Sequence, residues 1–414
     1  MERKDNPDES TLMFDWNIDE QGPINRSVEF DDETLRDGIQ SPSARDPEID
    51  RKLELLHLMD ELGIHAVEVG LPAASERQRD DAKRMVVEIR DQALSIRPCC
   101  AARTLIADID PVCRIADETG MDIELACFIG SSPIRFYAEE WDLDGVIRRT
   151  ETAVNHAVQH GLSVMYVTED TSRANPETLR RLYGTAIDCG ARRLCVADTV
   201  GHSTPRGVRA LMNFVRSIVE ERGEPVKIDW HGHRDRGLDV ANALAAVEAG
   251  ADRVHGTGLG IGERCGNTPM DLLLVNCRLL GWIDNDLTRL GDYCRAVSEA
   301  TGAPLPINYP VVGEDAFRTA TGIHAAAVIK AKRKGDDWLA DRVYSSVPAG
   351  IVGRSQRIEI GPMSGVSNIL YWLQTHGLEP TQQRISALIN AAKCSDRVLT
   401  EVEVFDVIGE QPTS

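Results

Sequence analysis

The sequence predicts an α/β fold: a (β/α)8 TIM barrel followed by a smaller mixed helical and loop module. Three observations predict it. From about Arg26 onward, short β-rich runs alternate with longer amphipathic ones, close to the roughly 30 residues of one β/α unit in a barrel of about 250. Eight such units follow in series. No Gly-rich phosphate turn follows the first strand, which disfavours a doubly wound sheet, and 414 residues suit a large barrel with an appendage.

In chain order the candidate strands are 27–30, 66–69, 96–99, 123–126, 163–166, 193–196, 226–230 and 253–256. Between them, segments such as 49–62, 146–160 and 238–249 repeat apolar residues at helical spacing. Gly63, Gly161 and Gly250 stand where left-handed caps would end these helices. After Trp282 the rhythm changes, and Pro304, Pro306 and Pro310 mark a linker. The expected organisation is an N-terminal extension over 1–25, a barrel over 26–300 and a C-terminal module over 305–414, with a break near 361–365.

Composition narrows the partners. With 46 Lys+Arg against 66 Asp+Glu the net charge is −20, and scattered basic residues on an acidic surface argue against nucleic acid and anionic membranes. Residues 1–19 lack the apolar stretch of a secretory signal, and no run approaches the ~20 apolar residues of a membrane span. Ten cysteines are dispersed, with only Cys99 and Cys100 close together and neither CxxC nor metal-type Cys spacing; reduced thiols in a cytoplasmic protein follow.

Chemistry in such barrels gathers at the C-terminal strand ends. There the sequence places Asp31 to Gly38, Thr168 to Asp170, Asp198 and Thr199, His231 and His233, and Gly260 to Asn267. His231 and His233 are two apart on a strand, so both imidazoles share one face. With a carboxylate, best supplied by Asp37, they make a divalent-metal site with open positions; a hydrogen-bonded structural pair is the plainer alternative.

Three ordered motifs carry a family resemblance. DETLRDGIQ at 32–40, HGHRDRGLDVANALAAVEAGA at 231–251 and GIGERCGN at 260–267 resemble the first, seventh and eighth strand motifs of a family of metal-dependent barrel enzymes. That family includes 2-isopropylmalate, citramalate and homocitrate synthases and 3-hydroxy-3-methylglutaryl-CoA lyase. EVGLPAAS at 68–75 is most similar to the isopropylmalate synthase version of strand two, and the resemblance covers about 26–365. It implies a Claisen-type condensation of acetyl-CoA with a 2-oxo acid, 2-oxoisovalerate first, on a divalent ion (Mg, Mn or Zn). It further implies Asp37, His231, His233 and Asn267 as ligands, Arg36 facing the enolate or alkoxide oxygen, and Thr199 on the substrate carboxylate. Gln40 and Arg103 join the substrate set, and Glu169 stands near the acetyl donor. Arg36 could instead pair with Asp37 or Glu263, Thr199 could cap a helix, and Arg103 or Glu169 could form rim salt bridges.

TGIHAAA at 321–327 resembles the synthases' segment after the barrel, so His324 is expected to help activate acetyl-CoA, and Tyr344, ten residues before Arg354, fits the position of a family tyrosine. The resemblance implies a homodimer in which these two residues serve the partner's barrel. The basic cluster Lys330 to Lys334 could meet coenzyme phosphates or be a solvated helix end. Two departures bear on the acceptor. Arg234 stands where the family has Asn, and Arg135 where isopropylmalate synthases have His; either could bind a second anionic group or point outward. No separate allosteric domain is expected after the module. Cys265 resembles a lyase cysteine, which keeps a C–C lyase as the alternative enzyme class; a catalytically silent binding protein would require lost ligands, and the main ones are present.

Overall fold

The computed structural model describes residues 12–17 and 27–411; the rest of the expected N-terminal extension lies outside the described residues. Eight parallel strands close a barrel in sequence order: β1 Glu29–Asp32, β2 Ala66–Glu68, β3 Arg97–Arg103, β4 Glu124–Gly130, β5 Ser163–Glu169, β6 Arg193–Asp198, β7 Lys227–Gly232 and β8 Arg253–Gly256. Closure is made by β1 against β8, with Glu29 opposite Arg253 and Asp32 opposite Gly256. The expected fold class and all eight strand positions are present. β3 ends at Arg103 rather than 99, and β4 at Gly130 rather than 126: the apolar runs Cys100 to Ala102 and Cys127 to Ile129 carry each strand further toward the mouth.

The barrel helices are α1 Ile49–Glu61, α2 Glu76–Asp91, α3 Ile106–Thr119, α4 Pro133–Glu139, α5 Leu143–Gln159, α6 Pro176–Asp188, α7 Pro205–Arg222, α8 Asp239–Glu248, α9 Met270–Leu279 and α10 Leu290–Thr301. Local signals start them: the Asp142 carboxylate accepts from Gly145 N at 2.7 Å to cap α5, and Pro205 follows the Thr204 cap of α7. Outward-facing strand residues such as Phe30, Val67, Tyr166 and Trp230 are fully buried against this helical ring, forming a continuous apolar core. Burying such a side chain contributes roughly 1.5–3 kcal/mol.

Inside the barrel, the lower part is ionic. Arg193 and Arg253 both grip Asp229, at 2.6 and 2.7 Å, and both reach Glu124, while Arg193 also meets Glu29 at 3.0 Å. Arg193, Arg253 and Asp229 are almost wholly buried, which is tolerable because each guanidinium has two or more carboxylate partners.

The C-terminal region adds β9 Arg318–Thr319, α11 Gly322–Arg333, α12 Asp337–Arg342, β10 Arg357–Ile358, α13 Val366–Thr375, α14 Gln382–Cys394 and α15 Glu401–Ile408. β9 and β10 pair in parallel. Ala325, Val328, Ile329 and Ile358 form one small core, and Ile360, Ile369, Trp372, Leu373, Leu388, Val404 and Phe405 belong to another, which draws on both sides of the 361–365 loop.

Candidate active site

Inward positions alternate along a strand, so β7 stacks Asp229, His231 and, just past its end, His233 up one wall of the barrel. The turn after β1 delivers the acid. Thr34 N donates to the Asp32 carboxylate at 2.8 Å, and Arg36 N and Gly38 N both donate to Glu33 O, which coils the chain and turns Asp37 inward. The loop after β8 supplies Asn267, fixed by a backbone bridge to His233. Gly266 is required there: its φ is +108°, and a Cβ would lie 1.9 Å from the Gly260 carbonyl oxygen.

These elements bring the expected ligand set together. Asp37 Oδ2 lies 3.5 Å from Nε2 of both His231 and His233, and Asn267 Nδ2 donates to it at 2.7 Å. Asn267 Oδ1 and His233 Nδ1 are buried without a hydrogen-bond partner. His231 Nδ1 donates to Glu33 at 3.1 Å, which aims Nε2 at the cluster as metal-bound histidines are aimed by a carboxylate behind them. Burial and then the neighbouring His231 lower the His233 pKa to about 4, leaving it neutral, the ligating form. Against burial, Glu33 and Asp37 raise that of His231, so the donor set draws positive charge to itself. The residues present fit a hard to borderline divalent cation.

Arg36 is the centre of the charge pattern. It contacts Glu68, meets Glu33 at 2.8 Å and Asp37 at 3.4 Å. Of the two alternative partners the sequence offered, Asp37 is met and Glu263 is not; Glu33 and Glu68 were not foreseen. Burial would raise the Glu33 and Asp37 carboxyls, but His231 and Arg36 hold Glu33 well below the usual range, and Arg36 and His231 likewise lower Asp37. One guanidinium cannot serve three carboxylates equally, and Glu68 is the one pushed up, to about 8, by burial.

Sequence reasoning missed Glu33, Glu68 and His255. His255 donates to Glu33 at 2.6 Å and faces Asp229 at 3.0 Å, connecting the ionic floor to the ligand cluster. The signal for it was the period of β8, which places residue 255 inward beside Arg253.

A cavity opens over the cluster. Arg36, Asp37, Gln40, Glu169, Thr199, His231 and His233 line it, with an apolar wall of Leu71, Ala101, Ala126, Phe128, Met165 and Val167. Glu169 is raised by burial. Thr199 caps no helix: its Oγ1 accepts from Asp170 N at 2.9 Å, and Thr204 caps α7.

Other expected residues lie elsewhere. Arg103 turns out to Asp108, 2.6 Å away, with its side chain 61% exposed and outside the cavity lining, because a well-placed carboxylate one turn into α3 captures it. Arg135 pairs with Glu139 at 3.1 Å and lines an adjoining hollow with Glu169 and Thr199 rather than the main cavity. Arg234 packs against the loop after β8, its backbone N donating to Gly266 O. Cys265 is exposed and outside the lining. In the basic cluster, Lys332 donates to Gln356 O and lies over Tyr371. His324 and Tyr344 stack on each other, centroids 4.1 Å apart, on the surface of the C-terminal region and away from this chain's cavity lining.

Comparison with known proteins accords with this geometry. The HMGL-like family profile matches residues 27–297. The homocitrate synthase AksA of Methanopyrus kandleri is 36% identical over 366 residues, 87% of this chain and 86% of its own. The 2-isopropylmalate synthase of Sulfolobus acidocaldarius is 34% identical, spanning 94% of this chain and 93% of its own. The crystal structure of the HMG-CoA lyase from Brucella melitensis superposes with a TM-score of 0.56 at 19% identity, covering 66% of this chain and 98% of the lyase, a likeness of fold. With its barrel matched from end to end and its acyltransferase-type synthase relatives aligned over most of their length, the chain belongs to the HMGL-like family.

Proposed function

We propose that the chain is a 2-isopropylmalate synthase-like enzyme, condensing acetyl-CoA with 2-oxoisovalerate and water to give a 2-alkylmalate and free CoA. The observation that carries the reading is the convergence of Asp37, His231, His233 and the unpartnered Asn267 Oδ1 at the mouth of the barrel, beside Arg36. A divalent ion held by these four residues would supply Lewis-acid polarisation of the keto group. Arg36 sets a fixed cationic fork toward the oxygen that gains charge as the new C–C bond forms. Thr199 and Gln40 offer polar contacts at the rim for the substrate carboxylate. Glu169, raised by burial, stands on the acetyl-donor side.

The methyl proton of acetyl-CoA needs a positioned base. His324, steadied by the Tyr344 ring, fills that role from a second copy of the chain, so the functional unit is a homodimer. The acceptor follows from the walls: Leu71, Phe128 and Val167 suit a branched apolar side chain, and Arg36 is the one guanidinium or ammonium among the cavity-lining residues described. Arg135, in the adjoining hollow, favours a more anionic acceptor as the second reading, of the homocitrate type. The lyase reading is weakened by Cys265, whose thiol lies outside the lining.

The test is thiol release from acetyl-CoA by purified protein, across a panel of 2-oxo acids, with and without chelator. Chelator-sensitive release strongest with 2-oxoisovalerate is expected. Preference for 2-oxoglutarate would transfer the protein to the second reading, and metal-dependent cleavage of a hydroxyacyl-CoA without condensation would make it a lyase.

A further inference from the structure

A second set of donor atoms lies on the outer helical ring. Asp110 and Cys113 are on α3, His156 is on α5, and His160 is the residue that ends α5. The Cys113 sulfur and one ring nitrogen from each histidine lie within 4.8 Å of one another. The two imidazoles are one helical turn apart, with centroids 4.3 Å from each other. In each ring one nitrogen is engaged: His156 Nε2 bonds Asp110 Oδ1 at 2.8 Å, and His160 Nδ1 bonds the His156 carbonyl oxygen at 2.8 Å. Metal-ligating histidines are held in this manner, with a carboxylate or carbonyl fixing the tautomer so that the other nitrogen presents its lone pair. A surface salt bridge between Asp110 and His156 would need neither the buried sulfur nor His160.

The surroundings are also suited to a cation. Cys113 is 5% exposed, and Asp110, one turn before it on α3, brings a carboxylate to the edge of the cluster. We propose that Cys113, His156 and His160 form a binding site for a soft divalent transition ion of the zinc class, with Asp110 orienting His156 and a water on the exposed side of His160 completing four-coordination. On binding, the Cys113 thiol proton passes to solvent and the thiolate becomes the ligand. The ion would tie α3 to α5 and stabilise the folded chain by mass action. None of these residues lines the barrel cavity, and the cluster there contains no sulfur. The spacing of the cysteines gives no hint of it, because the site takes one Cys from one helix and an i, i+4 His pair from another.

The probe is Co²⁺ added to the full chain after treatment with chelator, read by the thiolate-to-cobalt charge-transfer absorption. The wild type is expected to take up two ions per chain, one of them at the barrel mouth without contributing to the absorption, and to develop that band. Cys113→Ser should abolish it, His160→Ala should weaken binding at least tenfold, and Asp110→Asn should weaken it about 10- to 100-fold. His160 is exposed, so H160A keeps the test alive should C113S fold poorly. Asp37→Ala should leave the band intact. No band in the wild type, unchanged affinity in H160A, or loss of the band in D37A, which would shift the sulfur to Cys265, would each overturn the proposal.

Discussion

The barrel mouth and the His324–Tyr344 pair make an instructive contrast. At the mouth the acid and histidine of the cluster are buried and held by others: Asp37 by Arg36 and Asn267, His231 by Glu33, and Glu33 by His255. On the C-terminal region, two aromatic rings stack on one another with Tyr344 49% exposed, and they face no part of their own chain's cavity. In the dimer proposed above, one half of the site is preorganised by one chain and the other is brought to it by a second copy. A rigid half suits holding charge in place. A surface half suits a base that must meet a substrate between two bodies.

The largest expected effect breaks the rigid half. Asp37→Ala should remove metal binding at the barrel mouth and lower turnover by about 10³-fold or more, equivalent to about 4 kcal/mol; calorimetric titration, with one ion fewer bound per chain than in the wild type, and thiol release check both. Next, His324→Ala should lower turnover by at least about 10²-fold while leaving ion affinity unchanged. Mixing H324A with D37A protein should then restore activity, because a mixed dimer contains one site with both halves intact. Failure of the mixture would return the two halves to a single chain. Glu33→Gln sharpens the account of how the rigid half is held: ion affinity should fall about 10- to 100-fold with the melting temperature little changed, and Glu33→Asp should recover part of the loss. The smallest effect is Arg135→His, which should alter kcat/KM for 2-oxoisovalerate by less than about twofold, since the guanidinium is occupied by Glu139. A selective loss with a dianionic acceptor would instead place Arg135 at the substrate.

What the sequence made legible followed local patterning. The eight strands were visible because their outward faces are apolar, and Gly63, Gly161 and Gly250 do take positive φ at the helix ends. Asp37, His231, His233 and Asn267 were legible because each stands at a strand end within a motif. Glu33 and His255 were not, since nothing local shows that residues 222 positions apart share a hydrogen bond. Arg103 and Arg135 misled for the complementary reason: each stands near a strand end, yet a carboxylate a turn away along the adjoining helix competes for the guanidinium. The zinc-class cluster was invisible because its donors are spread over two helices that only packing brings together.

The ionic floor under the cavity has an evolutionary consequence. Arg193, Arg253, Asp229 and Glu124 anchor the base of the barrel through contacts that involve none of Leu71, Phe128 or Val167. Wall side chains can therefore be exchanged to admit differently shaped acceptors while the scaffold beneath keeps its strength, so a lineage built on this plan can change its diet without first having to rebuild its foundations.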